Sequence, residues 1–88
     1  MSTESHNKYY QEYAARFAAA SIQYLINEFN RQVGHNAWTS ARAIHDQALI
    51  AEMQYRGIDV SSVFDGQTIN FSKHVFLKSS FKISIVSN

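Results

Sequence analysis

Eighty-eight residues with eight basic and seven acidic side chains, a formal charge of +1 and no cysteine read as one domain, 1–88, without disulfides or thiolate metal sites. Charged residues at 17% are few and aromatics at 14% are generous for a globular chain. No apolar run approaches the roughly 18 residues of a membrane span, and the opening residues have neither a basic n-region nor an apolar h-region, so a cytoplasmic location is expected.

Residues 1–6 are polar and aperiodic and are expected to be flexible. From Asn7, apolar residues recur at helical spacing through Tyr10, Tyr13, Phe17, Ile22, Leu25, Phe29 and Val33, and Gly34 offers a left-handed stop. One long N-terminal helix over 7–33 is predicted, about 40 Å in length at 1.5 Å per residue. A second helix over 37–56 is predicted from Ala37, Ala41, Ile44, Ala48, Leu49 and Met53, with Asn36 as its cap and Gly57 as its stop. The joint at 34–36 is short, which makes the pair an antiparallel hairpin over 7–56, with Ala14 and Ala18, flanked by Ala15, facing Ala37, Ala41 and Ala48, flanked by Ala51. Trp38 begins the second helix, where it would pack over the neighbouring helix end.

Beyond Gly57 the period changes from helical to alternating, and from Ile69 to Ile85 the apolar residues other than Phe76 fall on odd numbers. Asp65-Gly66 suits a two-residue turn that pairs Phe64 with Gln67, Ser62 with Ile69 and Val60 with Phe71. A second reversal at 78–80 would pair Leu77 with Phe81 and Val75 with Ile83. These readings give a small three-stranded antiparallel meander over 58–86, its first strand the weakest because Asp59-Val60-Ser61-Ser62 equally fits an N-capped helical turn. The expected fold class is thus α+β, a two-layer packing of the helical hairpin on the meander.

Catalytic signals are sparse. The histidines His6, His35, His45 and His74 include no pair at i, i+4, and three glycines supply no phosphate-cradling loop. His45 shares a helix side with Arg42 and Glu52; this would suit a general base oriented by Glu52, or, as the preferred reading, a half-buried histidine beside a Glu52–Arg56 pair at i, i+4. No serine sits in a nucleophile-elbow setting. The chain is therefore read as non-catalytic, with no cofactor, no metal and no small-molecule substrate.

Two features point to macromolecular partners. Tyr10, Tyr13, Phe17, Tyr24 and Ile26 give the first helix an apolar belt wider than one internal partner covers, the pattern of a homodimer interface. Residues 67–88 carry Lys73, Lys78 and Lys82 and no acid. With His74 and Phe76 they compose a basic face with one ring. Such a face suits an acidic protein surface or single-stranded nucleic acid, although edge lysines also serve to block sheet aggregation. The leading expectation is a self-associating protein-interaction module such as a regulator, inhibitor or accessory subunit; nucleic-acid binding through Lys73, His74, Phe76, Lys78 and Lys82 is the alternative.

Overall fold

A computed structural model describes residues 2–35 and 39–86, with side chains from residue 8 onward. The expected two-helix hairpin and three-stranded meander are replaced by three helices and a two-stranded antiparallel sheet, still an α+β arrangement. The helices are α1 (Ser2–Ala18), α2 (Ile22–Arg31) and α3 (Ser40–Tyr55), and the strands are β1 (Val75–Ser79) and β2 (Lys82–Ile85). Asn36, Ala37 and Trp38 lie outside the described residues.

The first correction is the break in the long helix. Ser21 has extended backbone (φ −71°, ψ 160°) and its hydroxyl accepts from the Tyr24 N–H, so it caps a new helix. A straight rod over 7–33 would carry Phe17 and Phe29 far apart. The break brings both into one core, where each is fully buried against Leu25, Leu49 and Met53. Arg56 closes the joint from the end of α3: its Nη2 donates to the carbonyls of Phe17 (2.8 Å) and Ala20 (2.7 Å) at the end of α1, where Phe17 O also accepts the Ala20 N–H at 3.1 Å. α1 also starts at Ser2, ahead of the expected residue 7.

The second helix begins later than expected. Thr39 is its cap, with the hydroxyl accepting from the Arg42 N–H at 3.0 Å. Its stop falls where the sequence places it. Gly57 takes φ 79°, its N–H donates to Gln54 O, and the Ile58 N–H reaches back to Met53 O while the Ile58 side chain is buried. That is a Schellman termination, which needs a residue free to adopt positive φ. Ala48 is buried as the helix-pairing stripe requires, but Ala15, Ala18 and Ala41 are exposed, so close alanine-to-alanine approach does not organise this pair.

The third correction is the missing first strand. Asp59 accepts the Ser61 N–H at 2.8 Å, and the N–H groups of Val63 and Phe64 both bond to Val60 O, so 59–64 forms the capped helical turn. Val60 and Val63 still reach the core from this turn. The Asp65-Gly66 loop is longer than a two-residue turn. Asp65 Oδ1 accepts the N–H groups of Gln67 and Thr68, and Phe64 bridges to Ile69 instead of pairing with Gln67. Four residues then lie between the bridged pair, and hydrogen bonding by the aspartate selects this geometry.

In the hairpin, Val75 pairs with Ile85, Phe76 with Ser84 and Leu77 with Ile83, a register two residues away from the expected one, with a shift between Leu77 and Ser79 and Ser79 opposite Lys82. A slip of two leaves every side chain on its own face, so the alternation cannot distinguish the two registers. Phe81 thereby moves into the turn. Both sheet edges have partners. Asp59 makes a parallel bridge to Lys82, with its N–H donating to Phe81 O and its carbonyl accepting from the Ile83 N–H. On β1, Asn30 of α2 acts as a one-residue strand: its Nδ2 donates to Val75 O at 2.9 Å and its Oδ1 accepts the Val75 N–H at 2.7 Å.

Candidate functional site

The hairpin places its residues by alternation. Val75 and Ile83 are buried against the helices, so Phe76 and its cross-strand partner Ser84 point the other way. Phe76 is 45% exposed, an unusual setting for a ring on a strand that has a core within reach. Beside it, His74 precedes β1 and its carbonyl accepts the Val86 N–H at 2.8 Å. His74 and Val86 therefore extend the Phe76–Ser84 face, and both are exposed. Lys78 is the residue left unpaired by the register shift, and Lys82 stands at the start of β2. Lys73 lies in the bend before β1 and is also exposed. The structure thus gathers His74, Phe76, Lys78 and Lys82 at one hairpin, with Phe81 66% exposed at its tip.

Electrostatically this face is one-sided, since residues 67–88 contain no acid. Asp59 meets this hairpin through its bridge to Lys82. Its carboxyl is held below the usual aspartate value by hydrogen bonds from Ser61, side chain first and then backbone, with Lys82 adding a smaller attraction.

The residues expected to form a dimer interface are distributed differently. Phe17 and Ile26 are 0% and 3% exposed within the single chain, and Tyr10 and Tyr13 pack partly against the same core. Tyr24 is 39% exposed on α2. Three helices cover more apolar area than two, and the break at Ser21 is what supplies the third.

His45 has neighbours that its helix does not reveal. Its Nε2 lies 3.1 Å from Glu28 Oε1 and its Nδ1 lies 3.0 Å from Asp46 Oδ1, while Tyr13 and Phe17 of α1 meet the ring edge-on at 5.1 and 5.2 Å between centroids. Each ring nitrogen thus lies within hydrogen-bonding distance of a carboxylate oxygen, and neither is open to a substrate in this arrangement. Glu52 does not orient it; Glu52 accepts from Arg56 Nε at 2.7 Å. Burial pushes the Glu28 carboxyl up, but hydrogen bonds from Arg31 and His45 and the charges of both outweigh it and leave the group below its ordinary value.

Arg42 completes this cluster. Nε donates to Gln32 Oε1 at 2.9 Å, Nη1 to His35 O at 3.1 Å and Nη2 to Gln32 O at 3.3 Å, with Asp46 Oδ2 3.5 Å from Nε and the guanidinium 5.2 Å from the Phe71 ring centroid. It stands between two hollows. One, about 800 Å³, runs between α3 and the 64–72 loop over Ile50, Phe64, Ile69 and Phe71; the other, about 340 Å³, lies by Tyr13, Arg31 and His45. Among the described residues no buried side-chain nitrogen or oxygen lacks a partner, and no three His, Asp or Glu residues converge as a metal site. No described helix is long and apolar enough to cross a membrane.

Glu28, Gln32 and Asn30 are polar residues that sequence reasoning missed. Each acts on a partner distant in the chain, and nothing local marks them. Comparison of the chain with protein-family models, curated proteins and solved structures finds no match.

Proposed function

We propose that the chain is a cytoplasmic, non-catalytic interaction module that docks an acidic segment of a protein partner on the outer face of its hairpin. A fold without cysteines gains nothing from an oxidising compartment. The observation that carries the reading is the exposed Phe76 ring set among His74, Lys78 and Lys82 in a stretch with no carboxylate. An aromatic anchor ringed by cations suits a segment that offers one apolar side chain and several acids.

Charge also separates the candidate partners. A two-fold self-pairing on this face would bring lysines against lysines, which disfavours a second copy there. Self-association on the expected helical belt would have to rely on Tyr10, Tyr13 and Tyr24, since Phe17 and Ile26 are already buried. Three lysines and one ring are few for a nucleic-acid strand, whose binding scales with the number of phosphates neutralised.

Fluorescence anisotropy with a labelled peptide of alternating Glu and Phe, run beside a labelled oligo-dT, tests the reading. Peptide binding that weakens with salt and is lost in the Phe76→Ala/Lys78→Glu double variant is expected. Binding of the oligonucleotide alone, or peptide binding indifferent to the double variant, would overturn it.

A further inference from the structure

We propose that the larger hollow binds an uncharged amino-substituted purine, as the free base or the nucleoside, stacked on Phe64 and met along its edge by the side-chain amides of Gln47, Gln54 and Gln67. At about 800 Å³ the hollow falls within the roughly 300–1,000 Å³ of small-molecule sites. It is a slot with unlike sides. α3 supplies one, with Gln47 and Gln54 two turns apart and therefore on the same side of the helix, and the 64–72 loop supplies the other.

Phe64 and Phe71 both line the slot, and they are not equivalent. Phe71 is packed by the Phe29 ring, 4.5 Å between centroids, and by the Arg42 guanidinium, 5.2 Å from the Phe71 centroid. Phe64 is half-buried, and among the described residues neither a ring nor a cation packs on it. It is the ring left for a flat guest, with Ile50 and Ile69 as further apolar lining. The loop is braced without any guest. Asp65 Oδ1 accepts the N–H groups of Gln67 at 2.9 Å and Thr68 at 2.8 Å, the Asn70 N–H donates to Val63 O at 2.7 Å, and Asn70 Oδ1 accepts the Ser72 N–H at 2.8 Å. A wall fixed in this way loses little freedom on binding.

The charge of the lining selects among flat guests. Arg42 and Asp46 are its charged side chains among the described residues, and they face each other with 3.5 Å between Arg42 Nε and Asp46 Oδ2. Arg42 also donates to Gln32 and to the His35 carbonyl. With histidine neutral, the lining sums to zero, which disfavours a phosphate or carboxylate guest. The neutral amides are what the slot offers instead. Gln47, Gln54 and Gln67 are exposed, and no hydrogen bond among the described residues uses their side chains, whereas the amides of Asn30 and Gln32 are engaged. A primary amide presents a donor and an acceptor side by side and pairs with an edge that does the same. The amino group and adjacent ring nitrogen of adenine form such an edge, and the two fused rings stack on a phenyl face.

The test is an amide ¹H–¹⁵N titration with adenosine, followed at the backbone and at the glutamine side-chain NH2 signals, and run beside adenosine monophosphate and toluene. Expected are saturable shifts at Ile50, Phe64 and Ile69 and at the NH2 groups of Gln47, Gln54 or Gln67, with adenosine bound more tightly than either comparison ligand. Kd for adenosine should rise about tenfold in Phe64→Leu and about fivefold in the Gln47→Leu/Gln54→Leu double variant. No shift at these residues up to the solubility limit of adenosine, shifts confined to the hairpin, or adenosine monophosphate bound as tightly as adenosine would overturn the site. Toluene bound as tightly would show that the amides read nothing, and would overturn the purine assignment. Both glutamines are exposed, so the double variant reports even if Phe64→Leu does not fold.

Discussion

The helical half and the C-terminal hairpin treat charge in opposite ways. In α1 to α3, Glu28, Asp46, Arg42, Glu52 and Arg56 are drawn inward and satisfied by one another, by Gln32 and by backbone carbonyls. In the hairpin, Lys78, Lys82 and His74 remain at the surface beside an exposed ring. The first arrangement fixes a structure, because a buried charge tolerates few geometries. The second fixes little within the chain, which is the reason to look there for a partner.

The contrast can be broken most strongly from the helical side. Phe29 is fully buried and packs on Phe71 with 4.5 Å between ring centroids. Phe29→Ala is expected to destabilise by about 3–5 kcal/mol, enough to unfold much of a domain this small, as read from urea denaturation. Arg56→Met comes next. It keeps most of the aliphatic stem but removes the guanidinium that donates to Ala20 O and to the Glu52 carboxylate, and leaves Phe17 O with the Ala20 N–H alone. A loss of about 1–3 kcal/mol is expected, and an unchanged urea midpoint would show that solvent replaces the guanidinium freely.

A smaller effect sharpens the same side. Glu28 sits below its ordinary value of 4.5, so its contribution is present above that value and is lost as pH falls through the lowered one. The urea midpoint should therefore drop on the acid flank, and Glu28→Gln should flatten that drop. Equal acid sensitivity in the variant would place the effect on other carboxylates. On the hairpin side, Lys78→Glu is expected to move stability by no more than about 0.5 kcal/mol, since no hydrogen bond or ion pair among the described residues uses that ammonium.

What could be read from the residues divides along the same line. The stop at Gly57 and the alternation through Val75, Leu77 and Ile83 are local patterns, and the chain obeys them. The basic character of the last third is likewise plain in Lys73, Lys78 and Lys82. The break at Ser21 is not, because Ala18-Ala19-Ala20 continues a helical period and only the tertiary gain of burying Phe17 beside Phe29 ends it. The residues at 59–64 allow both a strand and a capped turn, and the Asp59 cap with the bonds of Val63 and Phe64 to Val60 O makes them a turn. Asn30 on Val75 and Glu28 on His45 join positions 45 and 17 residues apart, and such pairings have no local signature.

The most direct test of the docking face is an amide ¹H–¹⁵N titration of the chain with the Glu/Phe peptide. Perturbations gathered over 74–86 and leaving the helical half still are expected. Perturbations gathered instead at Ile50, Phe64 and Ile69 along the larger hollow would contradict the assignment of the binding face to the hairpin.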